Sequence, residues 1–354
     1  MIFLVVYLLS LSIFWTALSQ SGKLKIVLLT IVVMISSLFA GLRNEDVGSD
    51  TIGYVIKTWQ MVPFYGNLKD FWLDNGNEIG YVALNFYVAK ISTDFHFFLF
   101  IHQFVIIILV ILASLRMKKR FFSLLLLLAY YFYLYKFTLS AARQGLALAF
   151  VIYAITFLRD NKNKSFYLLC LIGILFHNSV VFTFVLPIIK YITEKMKFAM
   201  IFFYSIVLGG LLLIATFYQS ILSTAISWGA LSSKYESYLD QEGFRSHKAD
   251  LMLITGFFII TICNRKNINY VIYYYTTILL IFSLGFLLMG DMIETANRVV
   301  YYLSLAAIMY APLCSTSPNV QKKIVKGYAC MLVLYGLFHT VFYSMEYHSD
   351  ILGL

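Results

Sequence analysis

Apolar runs of about 20 residues, parted by short polar hinges, recur along the chain, and that length lets an α-helix cross a roughly 30 Å hydrocarbon layer. Runs at 1–19, 25–42, 95–115, 121–137, 142–158, 198–219, 250–263, 270–289, 298–314 and 327–345 read as spans. The short alternating strands of a membrane β-barrel do not occur. The pattern predicts an all-α polytopic membrane protein of roughly 10–12 transmembrane helices, with re-entrant or broken segments among them. It reads as a single helical membrane domain over 1–354, with longer outer segments at 43–94 and 220–249. The first run has no basic leader, so it is expected to remain as a span rather than leave as a signal peptide.

Two stretches break simple threading. Ile79 to Ile91 is apolar but short, and predicts a helix lying in or dipping into the outer face. Ser165 to Ile189 carries His177-Asn178-Ser179 at its middle and Pro187 near its end, which predicts a fold-back or broken helix near His177. With that fold-back, 17 of the 27 Lys and Arg fall on one side, with only Asp160 and Glu194 of the 17 acids. Basic hinges mark the cytoplasmic side. The net charge of +10 therefore orients the chain and requires no nucleic acid.

Composition agrees: 61% of residues are hydrophobic and 12% charged, about half the charged fraction of a soluble domain. The four cysteines lie in or beside apolar runs without disulfide or metal-ligand spacing, and read as small buried hydrophobes.

Candidate chemistry sits at the borders of the spans. Arg43, Arg143 and Arg298 each open or close an apolar run, and a guanidinium fork matches phosphate oxygens. Arg43 leads a glycine-punctuated polar turn in which Gly48 permits close backbone approach and Asp50-Thr51 can cap a helix. Arg43 reads equally as an interface anchor. Arg143 stands at the first turn of a helix, where free N–H groups favour an anion, although a snorkelling arginine fits the same position. His177 is a general base, a hydrogen-bond donor or a structural residue of the break. Glu294 and Arg298 are spaced to pair along a helix or to meet substrate. The outer segments mix carboxylates with Trp59, Tyr65, Trp72, Tyr81 and Tyr87, and later with Tyr235, Tyr238 and Arg245, a mixture suited to sugars and also to interface belts. No nucleotide loop, nucleophile elbow or Cys/His cluster appears, so neither cofactor nor metal is expected.

Taken in order, these motifs resemble the EpsG-like family. Arg43 with Val47-Gly48-Ser49-Asp50-Thr51-Ile52-Gly53-Tyr54 resembles its "R…vGtDt..Y" signature, with Ser49 in place of a frequent threonine. Glu78-Ile79-Gly80-Tyr81-Val82-Ala83-Leu84-Asn85 resembles its "E.Gy..lN", Arg143-Gln144-Gly145-Leu146-Ala147 its "RqglA", and Phe176-His177-Asn178-Ser179 its "fH.s". Arg298 resembles its late arginine.

The resemblance implies a GT-C-like membrane glycosyltransferase, similar to the Wzy-type polymerases of capsule, O-antigen or exopolysaccharide. The implied substrate is an undecaprenyl-diphosphate-linked oligosaccharide, joined at the outer face of the bacterial cytoplasmic membrane within membrane lipid. A flippase and a chain-length regulator are the implied partners. Arg43, Arg143 and Arg298 would bind the diphosphate. Asp50, Glu78 or His177 would take the acceptor proton, and Tyr54, Tyr235, Tyr238 and Arg245 would meet sugar. An O-antigen-ligase-type transferase and a non-enzymatic lipid-linked glycan transporter are the competing readings.

Overall fold

Long apolar stretches satisfy their backbone hydrogen bonds internally by forming helices, and the computed structural model contains no strand among its described residues. Those residues are 2–195, 248–264, 269–288, 294–342 and 347–353, with 220, 223, 224 and 227. They form two compact units, Met1–Phe184 with Leu332–Leu354, and Val185–Met331. The expected span at 198–219, most of the segment 220–249, Tyr235, Tyr238 and Arg245 lie outside the described residues.

The first unit begins with α1 (Ile2–Ala17) and α2 (Gly22–Gly41). The outer segment follows as a π-helical turn at Thr51–Val55, then α3 (Ile56–Met61), α4 (Leu68–Asn75) and α5 (Ile79–Ile91). Next come α6 (Phe95–Arg116), α7 (Arg120–Ala129), a π-helical stretch at Tyr130–Leu134, α8 (Tyr135–Ser140), α9 (Ala142–Arg159) and α10 (Asn163–Ile174). Helix α2 packs on α6, α6 on α9, and α9 on α10. Val5, Leu8 and Leu9 of α1 and Leu24, Ile26 and Val27 of α2 are exposed, a face that hydrocarbon rather than water suits.

Polar contacts sort this unit into two ends. At one, Arg116 donates to Asp160 (2.8 Å) and Thr156 (2.9 Å), Arg159 to the Arg116 carbonyl (2.8 Å) and Arg120 to the Trp15 carbonyl (2.8 Å). At the other, the last carbonyls of α2, which lack intrahelical donors, are satisfied by distant groups. His96 bonds the Gly41 carbonyl and Tyr347 the Phe39 carbonyl, both at 2.8 Å, and the Ser349 hydroxyl bonds that of Leu42.

The predicted break at His177 is present, and it is a fold-back. Helix α10 stops at Ile174, and a 3-10 segment over Asn178–Phe184 returns along it. Thr183 donates to the Cys170 sulfur (3.4 Å), and the Phe184 ring lies 5.7 Å from that of Tyr167. His177 stands at the tip.

The second unit holds α11 (Val185–Lys195), α12 (Lys248–Cys263), α13 (Tyr270–Leu288), α14 (Glu294–Tyr310) and the start of α15 (Pro318–Phe342), whose residues from Leu332 belong to the first unit. Tyr328 stacks on Phe257 (4.2 Å between ring centres) and shares a 2.7 Å hydrogen bond with Thr261, tying α15 to α12.

Among the described residues, five helices are long and apolar enough to cross a membrane: Gly22–Gly41, Phe95–Arg116, Arg120–Ser140, Ala142–Arg159 and Tyr270–Leu287. Ile79–Ile91 is helical but short, as its sequence suggested. Two cysteines depart from expectation: Cys170 and Cys314 are buried, whereas Cys263 and Cys330 are exposed on their helices.

Candidate active site

Arg143 is the second residue of α9, directly after the turn at Ala141. The turn is held from below by His102 of α6, whose Nε2–H donates to the Ala142 carbonyl at 2.9 Å. Arg143 Nη1 donates to Glu78 Oε2 (2.8 Å) and to Asn77 Oδ1 (2.7 Å). Its guanidinium carbon sits 4.6 Å from the centre of the Tyr54 ring, a cation–π arrangement. Its Nε is buried and has no hydrogen-bond partner among the described residues.

Tyr54 connects this arginine to Asp50. Its hydroxyl donates to Asp50 Oδ2 at 2.8 Å and lies 3.5 Å from the Arg143 backbone nitrogen. The capping role read from the sequence does not hold: Asp50 occupies the cap position but makes no side-chain cap bond. Tyr54's hydroxyl is one helical turn on and competes for the same carboxylate. Burial first, then the Asp50 charge, raises the Tyr54 pKa, so the phenol stays protonated and donating.

Glu78 is gripped from a second side by the fold-back tip. The Asn178 backbone N–H points at Glu78 Oε1 (3.4 Å), and the Gly80 N–H donates to the Leu175 carbonyl (2.7 Å). A Cβ on Gly80 would lie 2.6 Å from that carbonyl oxygen, so only glycine admits the tip so closely. Burial alone would raise the Glu78 pKa. The Arg143 guanidinium and the Glu78 backbone N–H outweigh burial and hold the carboxyl below its ordinary value.

The Ser179 backbone N–H donates to His177 Nδ1 (3.1 Å), with the Ser179 hydroxyl 2.7 Å away. Nδ1 is therefore an acceptor, and the neutral ring carries its proton on Nε2.

Arg43 is used differently. It is only 3% exposed, and its Nη2 donates to the Leu139 carbonyl (3.2 Å) and Thr51 Oγ1 (3.3 Å). It clasps the Thr51 turn to the end of α8. Gly48 makes the clasp possible: its φ is +102°, and a Cβ there would lie 2.5 Å from the Leu139 oxygen. The close approach expected of Gly48 is made to this chain's own backbone.

The structure thus brings Asp50, Tyr54, Glu78, Arg143 and the His177 tip together, with Arg43 in the adjoining clasp. Arg298 lies in the second unit, partly buried in the first turns of α14. Of the five aromatics in 43–94, Trp59 and Tyr81 are core residues, whereas Trp72 and Tyr87 are exposed.

Asn77 and His102 were missed from sequence. Asn77 follows Gly76 in a polar turn ahead of an apolar run, and His102 interrupts the apolar run 95–115, the same signal that singled out His177. No group of three or more His, Cys, Asp or Glu placed to hold a metal occurs among the described residues.

The profile of the EpsG family matches residues 26–351, and the chain belongs to that family, which comprises Wzy-type polysaccharide polymerases. The protein is a multi-pass membrane protein of the polysaccharide-polymerase type. No curated protein and no solved structure matches it.

Proposed function

We propose that this member of the EpsG family polymerises a bacterial surface polysaccharide (capsule, O-antigen or exopolysaccharide) from undecaprenyl-diphosphate-linked repeat units at the outer face of the cytoplasmic membrane. One observation carries the reading: Tyr54 and Asn77-Glu78 converge on Arg143 at a helix start, and the His177 tip meets Glu78 from a further segment. A guanidinium fork at the positive end of a helix suits a diphosphate.

The chemistry is an inverting displacement. A hydroxyl of one repeat unit attacks the anomeric carbon of the sugar on the lipid diphosphate, and the bond from that carbon to the diphosphate oxygen breaks. The acceptor's proton passes to a carboxylate, and Arg143 stabilises the charge on the leaving diphosphate. In the resting protein Glu78 and Arg143 neutralise one another. An incoming diphosphate competes for the guanidinium, and a carboxylate that loses its cation becomes more basic. Glu78 is therefore our choice of proton acceptor, with Asp50 orienting Tyr54 under the arginine. His177, its proton on Nε2, serves as a hydrogen-bond donor rather than a base. A charge-assisted arginine fork supplies the leaving-group stabilisation often given by Mg²⁺, so activity in EDTA is expected.

The test incubates purified protein with the lipid-linked repeat unit of its source bacterium in EDTA and resolves the glycans by size. A ladder that disappears in Arg143→Ala is the expected result. Unchanged monomer with folded protein and authentic substrate would refute polymerisation in favour of ligase or transporter.

A further inference from the structure

Helix α4 is a short surface helix with both ends sealed. The Asn67 side chain accepts from the Asp70 backbone N–H (3.0 Å) at its start, and Gly76, left-handed with φ +67°, turns the chain at its end. The reversal carries Asn77 back beneath the helix, where the Trp72 indole N–H donates to the Asn77 carbonyl at 3.0 Å. The side chain of the same Asn77 accepts from Arg143. The indole is thus joined through one residue to the Arg143–Glu78 pair.

Trp72 is 39% exposed, while Trp59 of the same segment is 7% exposed and part of the apolar core. A tryptophan whose only polar atom is already hydrogen-bonded offers an apolar, electron-rich ring face to whatever lies above it. The C–H groups on the flat face of a pyranose carry the complementary partial positive charge. The same turn is polar: Asp74, exposed on the same helix, accepts from the Tyr65 hydroxyl (2.9 Å) and keeps further carboxylate lone pairs, and Asn75 and Asn77 are half-buried.

We infer that Trp72 is a stacking platform for a pyranose ring of the repeat unit, forming a sugar subsite next to the Arg143–Glu78 pair. The inference rests on the proposed glycan chemistry of that pair. The ring belongs either to the lipid-linked donor or to the acceptor, and the two sources are separable.

Full-length protein is titrated with the oligosaccharide released by mild acid from the source bacterium's lipid-linked repeat unit, and separately with the intact lipid-linked form. Affinity is read by calorimetry and tryptophan emission in parallel. For at least one of the two, wild type should show an emission change that Trp72→Phe loses while binding within about threefold of wild type, because a phenyl ring still stacks. Trp72→Ala should bind that ligand about tenfold more weakly. A loss confined to the released oligosaccharide assigns the platform to the acceptor, and one confined to the lipid-linked form assigns it to the donor. Equal affinity of wild type and Trp72→Ala for both ligands overturns the subsite. A ladder formed by Trp72→Ala with unchanged KM for donor and acceptor also overturns it, and leaves polymerisation standing. Binding that depends on Trp72 without any glycosidic bond formed would retain the subsite and remove the polymerase reading.

Discussion

The two ends of the first unit each carry an arginine–carboxylate pair at 2.8 Å, Arg116–Asp160 and Arg143–Glu78, with similar partial exposure. Distance and burial do not tell them apart; their surroundings do. Arg116 also donates to Thr156 and lies 3.8 Å from the centre of the Phe157 ring, while Lys118 and Arg159 flank the same Asp160 within 4 Å. That end is a lock between α6 and α9, set among basic hinges. At the other end Glu78 meets a fold-back tip, and Arg143 keeps a buried N–H without a partner among the described residues and sits on a tyrosine that donates to a carboxylate. A satisfied pair fixes structure. A pair held by groups that can exchange partners is suited to chemistry.

The largest predicted effect separates the two ends directly. Arg143→Lys should lower turnover by about a hundredfold to a thousandfold, as loss of one stabilising donor does, because an ammonium cannot reproduce the fork. Polymerisation at wild-type rate by well-folded Arg143→Lys would end the assignment.

Glu78→Gln should lower turnover by about a hundredfold, at the modest end of what a general base contributes. The pH dependence has a definite sign. With its pKa held below the ordinary carboxylate range, Glu78 is ionised at neutral pH. The pair's stabilisation is fully present above the unfolded pKa of roughly 4.3 and is lost as pH falls through the lower folded value. Wild-type activity should therefore fall on the acid side, and that limb should flatten in Glu78→Gln. An identical acid limb in both proteins would transfer the base to another residue.

Gly48→Ala tests the clasp beside the site. The left-handed backbone and the Leu139 oxygen together should cost about 1–3 kcal/mol, read as a lower unfolding temperature in detergent. An unchanged unfolding temperature would show that the turn relaxes freely.

Smallest is Arg116→Lys, at about 1 kcal/mol or less, with turnover near wild type. A large loss of turnover there would erase the contrast between the ends.

Much of this organisation was legible in the sequence. Lengths of apolar runs gave the helical class and five of the ten spans read, because backbone hydrogen bonding in hydrocarbon leaves few alternatives. The break at His177 followed from polar residues in an apolar run, and Arg143 at a helix start followed from a short turn between two runs. Boundaries were less legible. The run read as 121–137 extends over Arg120–Ser140 through a π-helical stretch, since its final turn packs aromatic and hydroxyl side chains that hydropathy alone scores as hinge.

What the chain determines locally is which residues are helical and which polar groups stand at the ends of helices, because periodicity and run length are properties of neighbours. Tertiary structure alone decided what each polar group meets. Arg43 and Arg143 both border apolar runs, yet one is walled in by a carbonyl and a threonine and the other faces a carboxylate. Glu78 and Asn178, 100 residues apart, meet because Gly80 lets the fold-back tip close to backbone contact. Long-range packing chooses those partners, and no run of adjacent residues carries that choice.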